Sequence, residues 1–255
     1  MHVFLTGATG FIGTAVAAEL IAAGHTVLGV ARTEESARRL SSLGVTPHRG
    51  ELTDHAAFIA GAKACDAVIH CAFIHDFTRF AENIEIEQQT VIALLDALAG
   101  SGTPFITTSG VAMLAPGRVA TEADQPQPWG RGLTERLVLD AAARGLRTAV
   151  IRLPPITHDS GSGGFLPALA QIARDKGVAG YVGDGANRWP AGHRLDAARL
   201  YRLALEGGAP GSPYMAVADE GLPMRDIAAA IGERLGLPTA SIAADAAQDH
   251  FGWLG

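Results

Sequence analysis

Cysteine, charge and aromatic residues are all scarce in this chain of 255 residues: two cysteines, 18% charged side chains and 6% aromatics. Two cysteines cannot staple a small disulfide or zinc scaffold. Cys65 and Cys71 flank what reads as one strand, which at about 3.3 Å per residue sets them about 20 Å apart, beyond the roughly 7 Å reach of a disulfide, so reduced thiols are expected. Twenty basic residues against twenty-six acidic ones leave a net charge of −6, and the notable basic cluster is the helix-face pair Arg38 and Arg39. Phosphate backbones call for a basic surface, so no nucleic-acid partner is expected. No charged leader precedes an apolar stretch, and Glu19, His25 or a glycine interrupts each long apolar run before it could span a bilayer. The expectation is a cytoplasmic protein that does not engage a membrane. His70, Cys71, His75 and Asp76 include ligand types, but no HExxH or CxxC spacing accompanies them and alternate strand residues face opposite ways, so no metal site is expected. No GxSxG elbow is present, which argues against a serine hydrolase.

What the chain does hold is a globular composition, 48% hydrophobic, with 31 glycines and 13 prolines scattered at turns. The length suits one large domain or one and a half. Short apolar runs such as HVFLT and DAVIHCA alternate with alanine-rich stretches over the first three fifths of the chain. Strands are expected near 2–6, 25–31, 45–49, 66–71, 103–109 and 146–153, and helices near 11–23, 34–42, 54–61, 83–100 and 129–145. Continuously apolar strands are buried on both faces, so the α/β pattern predicts a doubly wound parallel sheet. Beyond residue 153, clusters of Gly, Pro and Asp at 161–165, 182–190 and 206–213 separate shorter elements, which predicts a smaller lobe. Two helices are legible in it, near 196–206 and 223–235, the second with Pro223 in its first turn and closed by Gly236.

The first expected strand runs into Thr6, Gly7, Ala8, Thr9, Gly10, Phe11, Ile12, Gly13 and then a helix. Glycines so spaced let the backbone turn tightly, approach a pyrophosphate and present it to a helix N-terminus. The GxxGxxG spacing in TGATGFIG resembles the signature of atypical and extended short-chain dehydrogenases/reductases, the epimerase/dehydratase-like group. Residues 68–72, 105–110, 192–198 and 214–236 resemble further segments of that family, so nearly the whole chain is covered. The resemblance implies a Rossmann core over 1–155, an interleaved substrate-binding lobe over 156–255 that is shorter than is usual in the family, and a bound NAD or NADP. At the end of the second strand Arg32 and Thr33 offer a guanidinium fork and a hydroxyl suited to a 2′-phosphate, so NADP(H) is the expected cofactor. By resemblance, Gly7, Thr9, Gly10, Phe11, Ile12 and Gly13 hold the pyrophosphate, Glu51 and Leu52 hold the adenine, Cys71, Ala72 and Phe73 pass along the cofactor, and Leu153, Pro154 and Pro155 border the nicotinamide.

The family's proton-delivering Tyr and its Lys, four residues apart on the long helix, are replaced here. Aligning PWGRGLTERLVL sets Trp129 at the tyrosine and Leu133 at the lysine, and FITTSG sets Gly110 at the family's serine. An indole does not ionise usefully and leucine has no polar group. Ser109, His75 and Arg131 are therefore the candidates for the catalytic role, with His158, Tyr181, Arg188, Trp189 and His193 as candidate pocket residues. Asp76 and Asp159 are carboxylates that could attract a cationic substrate. The expected function is hydride transfer from NADPH to a small organic carbonyl, enone or imine. A non-catalytic NADPH-binding regulator and an epimerase or lyase using bound cofactor are the alternatives. Homodimerisation through the helices near 83–100 and 129–145 is implied by the resemblance alone.

Overall fold

The structure, a computed structural model, describes residues 1–112, 114–160 and 164–255. The first part of the turn cluster expected at 161–165, residues 161–163, lies outside the described residues. Strand and helix alternate through β1 (His2–Thr6), α1 (Phe11–Ala22), β2 (Thr26–Ala31), α2 (Glu34–Ser42), β3 (Thr46–Arg49), α3 (His55–Lys63), β4 (Ala67–His70), α4 (Phe80–Leu98), β5 (Pro104–Gly110), α5 (Arg131–Asp140) and β6 (Arg147–Leu153). There follow β7 (Ile156–His158), α6 (Leu166–Lys176), β8 (Ala179–Val182), β9 (Arg188–His193), α7 (Arg194–Gly207) and β10 (Ser212–Met215). The chain ends with β11 (Asp219–Pro223), α8 (Met224–Leu235), β12 (Thr239–Ile242) and α9 (Ala247–Phe251). Two compact units result, Met1–Leu153 with Arg194–Ala216, and Pro154–His193 with Val217–Gly255.

The first unit is built on a seven-stranded sheet in the order β10-β6-β5-β4-β1-β2-β3, with every pairing parallel. Side chains alternate across a strand, so each apolar run feeds two cores. Val3, Leu5, Ile69, Ile106 and Ile151 pack with Val16 and Leu20 of α1 and with Tyr201 and Leu205 of α7. Phe4, Val68, Phe105 and Val150 face the other way, onto Phe58 of α3, Leu94 and Leu95 of α4, and Val138 of α5. At roughly 1.5–3 kcal/mol for each large side chain buried, these two layers drive the doubly wound arrangement that the strand pattern predicts. Strand order reverses between β1 and β4, and in such sheets a crevice opens outside the carboxyl ends of the strands at that point.

Helices α4 and α5 differ from expectation by three residues or more at one end. Helix α4 begins at Phe80 and not at 83, because the Asp76 carboxylate accepts from the Thr78 amide at 3.1 Å and starts a 3-10 turn over Phe77–Arg79 that runs straight into it. Helix α5 spans Arg131–Asp140 and gives way to a 3-10 turn over Ala141–Arg144, which Gly145 ends in the left-handed conformation at φ 79°.

In the second unit β7 and β11 flank β9, and β8 pairs with β12. Its core gathers Ile156, Leu169, Met224, Ile227 and Phe251. Helix α8 stops at Gly236 as expected, while Pro223 stands at its N-cap and not inside its first turn. Among the described residues no helix is long and apolar enough to cross a membrane.

Candidate functional site

Two positions in the segment from Thr6 to Gly13 admit only glycine. Gly7 has φ +69° and a β-carbon there would lie 2.7 Å from the Cys71 carbonyl carbon; one on Gly13 would lie 2.1 Å from the Gly7 carbonyl oxygen. The loop is therefore pressed against the carboxyl end of β4 on one side and against its own helix on the other. Gly10 is the N-cap of α1, no side chain caps that helix, and its first turn has no acidic residue. The α1 N-terminus keeps its partial positive charge and its first amide donors for an anion. Thr9, Phe11 and Ile12 lie partly exposed along the same loop.

Arg32, just past β2, is exposed and makes no ion pair or hydrogen bond among the described residues. Thr33 is occupied differently. Its hydroxyl accepts from the Ser36 amide at 3.1 Å and its own amide donates to Ser36 Oγ at 3.0 Å, a reciprocal cap on α2. Glu51 is exposed and accepts from Thr53 Oγ1 at 3.2 Å. Leu52 is buried, with its carbonyl taken by the Thr90 hydroxyl at 2.6 Å.

The carboxyl end of β4 is tied to β1, since the Cys71 amide donates to the Thr6 carbonyl at 3.2 Å and the Ala72 amide to Thr6 Oγ1 at 3.2 Å. Cys71 is in hydrogen-bonding contact with Thr108 and Tyr201, and burial pushes its thiol up to about 11, so the thiol is protonated and unreactive near neutrality. Thr108 Oγ1 also donates to the His70 carbonyl at 3.0 Å and lies 2.6 Å from the Tyr201 hydroxyl. Burial holds Tyr201 well above the usual phenol range. His70, wholly buried with Nδ1 2.9 Å from Thr6 Oγ1, is pushed down to about 3 by its burial and by Arg131, and stays neutral.

Of the candidate catalytic groups, Ser109 lies near the carboxyl end of β5, 4% exposed and in register with Arg152. Arg152 itself is buried and paired with Glu135 of α5 at 2.7 Å. Arg131 reaches Glu87 at 2.6 Å and the Thr108 carbonyl at 2.7 Å, with its guanidinium 4.7 Å above the Phe73 ring. Its donors thus serve the framework inside α4 and near the end of β5. His75 is exposed on the loop after β4 with its ring 5.3 Å from Phe73; desolvation and then Arg131 hold its pKa below the usual histidine range. Trp129 is 52% exposed just ahead of α5, and Leu133 is 39% exposed on its first turns. Asp76 is turned onto Thr78.

Leu153 closes β6 and its carbonyl accepts from the Val111 amide at 3.0 Å. Pro154 and Pro155 open the second unit. Within that unit His158 and His193 have ring centroids 5.3 Å apart, His193 Nε2 lies 3.6 Å from Asp159 Oδ1, Arg188 donates to the Gly221 carbonyl at 2.9 Å, and Trp189 packs on Phe165. Tyr181 packs against its core. Among the described residues no three His, Cys, Asp or Glu side chains are placed to hold a metal ion.

Two residues of the site escape sequence reasoning. Arg194, the first residue of α7, donates to the Phe11 carbonyl at 3.3 Å and covers the Phe11 ring at 4.8 Å, which sets a cation beside the glycine loop. Tyr201 belongs to the buried stripe Ala197, Ala198, Tyr201, Ala204 and Leu205, and helical spacing marks it only as core.

Residues 3–216 match the model of the NAD dependent epimerase/dehydratase family. The chain is 44% identical over 257 residues to an uncharacterised protein of Schizosaccharomyces pombe, an alignment covering all of this chain and 87% of that one. It is 30% identical to a 2-alkyl-3-oxoalkanoate reductase of Stenotrophomonas maltophilia, over 93% of this chain and 77% of that protein. Among solved structures, the UDP-glucose 4-epimerase of Thermus thermophilus in complex with NAD superposes with a TM-score of 0.75 at 21% identity, over 95% of this chain and 86% of the other.

Proposed function

The chain belongs to the NAD dependent epimerase/dehydratase family, and from that premise we propose that it is an NADPH-dependent oxidoreductase acting on a small organic carbonyl, enone or imine. The observation that carries the reading is the glycine loop, closed to any β-carbon at Gly7 and Gly13, below an uncapped α1 N-terminus at the point where the strand order reverses. Reductase chemistry is favoured over epimerisation by the name of the Stenotrophomonas maltophilia relative.

Gly7, Thr9, Gly10, Phe11, Ile12 and Gly13 would hold the pyrophosphate, with Arg194 as a second cation beside it. Arg32, without a partner among the described residues, would pair with a 2′-phosphate; Glu51 and Leu52 would border the adenine, Cys71, Ala72 and Phe73 the middle of the cofactor, and Leu153, Pro154 and Pro155 the nicotinamide. The cofactor, when bound, supplies the hydride. The chain's part is to orient the acceptor and exclude water. Ser109 is the hydroxyl nearest the family's serine position and Arg131 holds the Thr108 carbonyl in place beside it. No tyrosine or lysine stands at the family's positions, so the acceptor must need little proton donation.

The test combines calorimetric titration of NADPH with loss of reduced nicotinamide absorbance in the presence of matched ketones, enones and cyclic imines. Binding abolished by Gly10→Val together with turnover of one acceptor class supports the reading. Binding without turnover of any of them would identify a cofactor-binding regulator instead, a reading that Trp129 and Leu133 favour.

A further inference from the structure

Three of the chain's nine phenylalanines fall within residues 73–80. None of the three joins the two apolar layers that cover the sheet. They gather with His75 just beyond the carboxyl end of β4: Phe73 lies 5.3 Å from His75 and 6.2 Å from Phe80, His75 lies 6.1 Å from Phe77, and Phe77 stacks on Phe80 at 5.9 Å with 25° between planes. The chain enters α5 along the same cluster, since a β-carbon on Gly130 would sit 3.7 Å from the Phe80 ring, and the preceding residue is the half-exposed Trp129.

Every charge on this loop and the helix start beside it is answered locally. Arg131 is engaged by Glu87 and the Thr108 carbonyl, Arg79 by Glu82, and Asp76 by Thr78. His75 is neutral near pH 7. Beside the glycine loop the rings therefore form an aromatic surface whose flanking charges, exposed Asp76 and the Arg79–Glu82 pair among them, already have local partners. The cations beside these rings, Arg79 and Arg131, are already paired with Glu82 and Glu87, whereas the rings themselves suit a flat electron-poor ring, which stacks well on aromatic faces.

We propose that Phe73, His75, Phe77, Phe80 and Trp129 form the wall that binds the hydride acceptor, and that the acceptor is a planar conjugated dicarbonyl, a quinone in type. The proposal rests on the reductase reading above and narrows its substrate class. A quinone also suits a site without tyrosine. It takes one hydride from NADPH and one proton from water, giving the hydroquinone and NADP⁺, and the charge that arrives with the hydride is delocalised over the ring rather than held on one alkoxide.

Titration of the 255-residue chain with 1,4-naphthoquinone, following tryptophan emission without NADPH, tests the wall directly, with Trp129→Phe isolating the share of that indole. The expected result is saturable quenching lost in Trp129→Phe, at least fivefold weaker affinity in Phe77→Leu and Phe80→Leu, and an unchanged NADPH affinity by calorimetry in both. In turnover the same two variants should raise KM for the quinone by a similar factor with kcat little changed. Absence of saturable quenching, equal affinity in the leucine variants, or saturable binding of UDP-glucose that depends on Phe77 and Phe80 would overturn the proposal. Naphthoquinone binding without NADPH binding would overturn the reductase reading and with it the acceptor role of the wall, leaving only an aromatic ligand site. NADPH binding with turnover of aliphatic ketones and no naphthoquinone binding would overturn only the quinone wall.

Discussion

The guanidinium of Arg131 meets the carboxylate of Glu87 at 2.6 Å, and that carboxylate is wholly buried. The same cation holds the Thr108 carbonyl at 2.7 Å, while the Thr134 hydroxyl donates to Glu87 at 3.2 Å. One ion pair thus joins α4, α5 and the end of β5, the elements that frame the candidate site.

Removing one member of such a pair leaves a buried charge uncompensated. Arg131→Met is expected to cost about 3–5 kcal/mol of stability, read from urea unfolding, while Arg131→Met with Glu87→Leu should recover most of the loss. Equal losses in the single and double variants would show that the packing of the arginine stem, and not its charge, is what matters.

Arg32 is exposed beside the end of β2 and has no partner among the described residues, so the chain should bind NADPH more tightly than NADH. A charge-assisted bond to the 2′-phosphate of about 1.5–3 kcal/mol corresponds to roughly ten- to hundredfold in affinity. Calorimetry on the two cofactors should show that difference in the wild type and its loss in Arg32→Asp. Equal wild-type affinities would remove Arg32 from the site.

His70 is held neutral, its pKa pushed down to about 3 by burial against the ordinary 6.5. The unfolded chain therefore binds a proton below about pH 6.5 that the folded chain refuses, so stability falls as pH drops from that value toward 3 and is unaffected by this group above it. Urea midpoints at pH 7.5 and pH 5.0 should separate for the wild type more than for His70→Gln. A histidine-independent slope would assign the acid sensitivity to other groups.

Ile92 of α4 and Leu133 and Leu137 of α5 are large apolar side chains at 36–42% exposure on two helices that pack together. A homodimer formed through these helices would cover them. Light scattering on the eluted wild type should give twice the chain mass, and Leu137→Arg should give the monomer with unchanged circular dichroism. A monomeric wild type would discard the interface.

Much of this architecture can be read along the chain because its causes are local. Parallel strands covered on both faces must be apolar at successive positions, so HVFLT and AVIH announce themselves. Gly7 needs a positive φ and Gly13 a missing β-carbon, and both needs show as glycine at a fixed spacing after the first strand. The absence of tyrosine and lysine at the positions of Trp129 and Leu133 likewise follows from the register of the resemblance over one short segment, Trp129 lying just ahead of α5 and Leu133 within it. Helix ends were less legible: Asp76 caps a turn that advances α4 by three residues, and neighbouring apolar periodicity carries no sign of it.

Tertiary structure alone decided which polar groups meet. Arg131 and Glu87 are 44 residues apart in the chain, Thr108 and Tyr201 are 93 apart, and Arg194 reaches Phe11 across 183. Taken in sequence, Glu87, Thr108, Tyr201 and Arg194 read as solvated charges or anonymous core, and Arg131 and Phe11, though singled out, show no sign of these partners. Their partners are chosen when the sheet and helices bury them together, since a polar group removed from water must find whatever complementary atom the packing brings within reach. The sheet and the glycine cradle were legible along the chain, both set by backbone conformation and hydrophobic periodicity. The ion pair under the site, the cation beside the glycine loop and the gathering of Phe73, Phe77 and Phe80 were decided only by the fold, because they depend on distances between segments that no local pattern encodes.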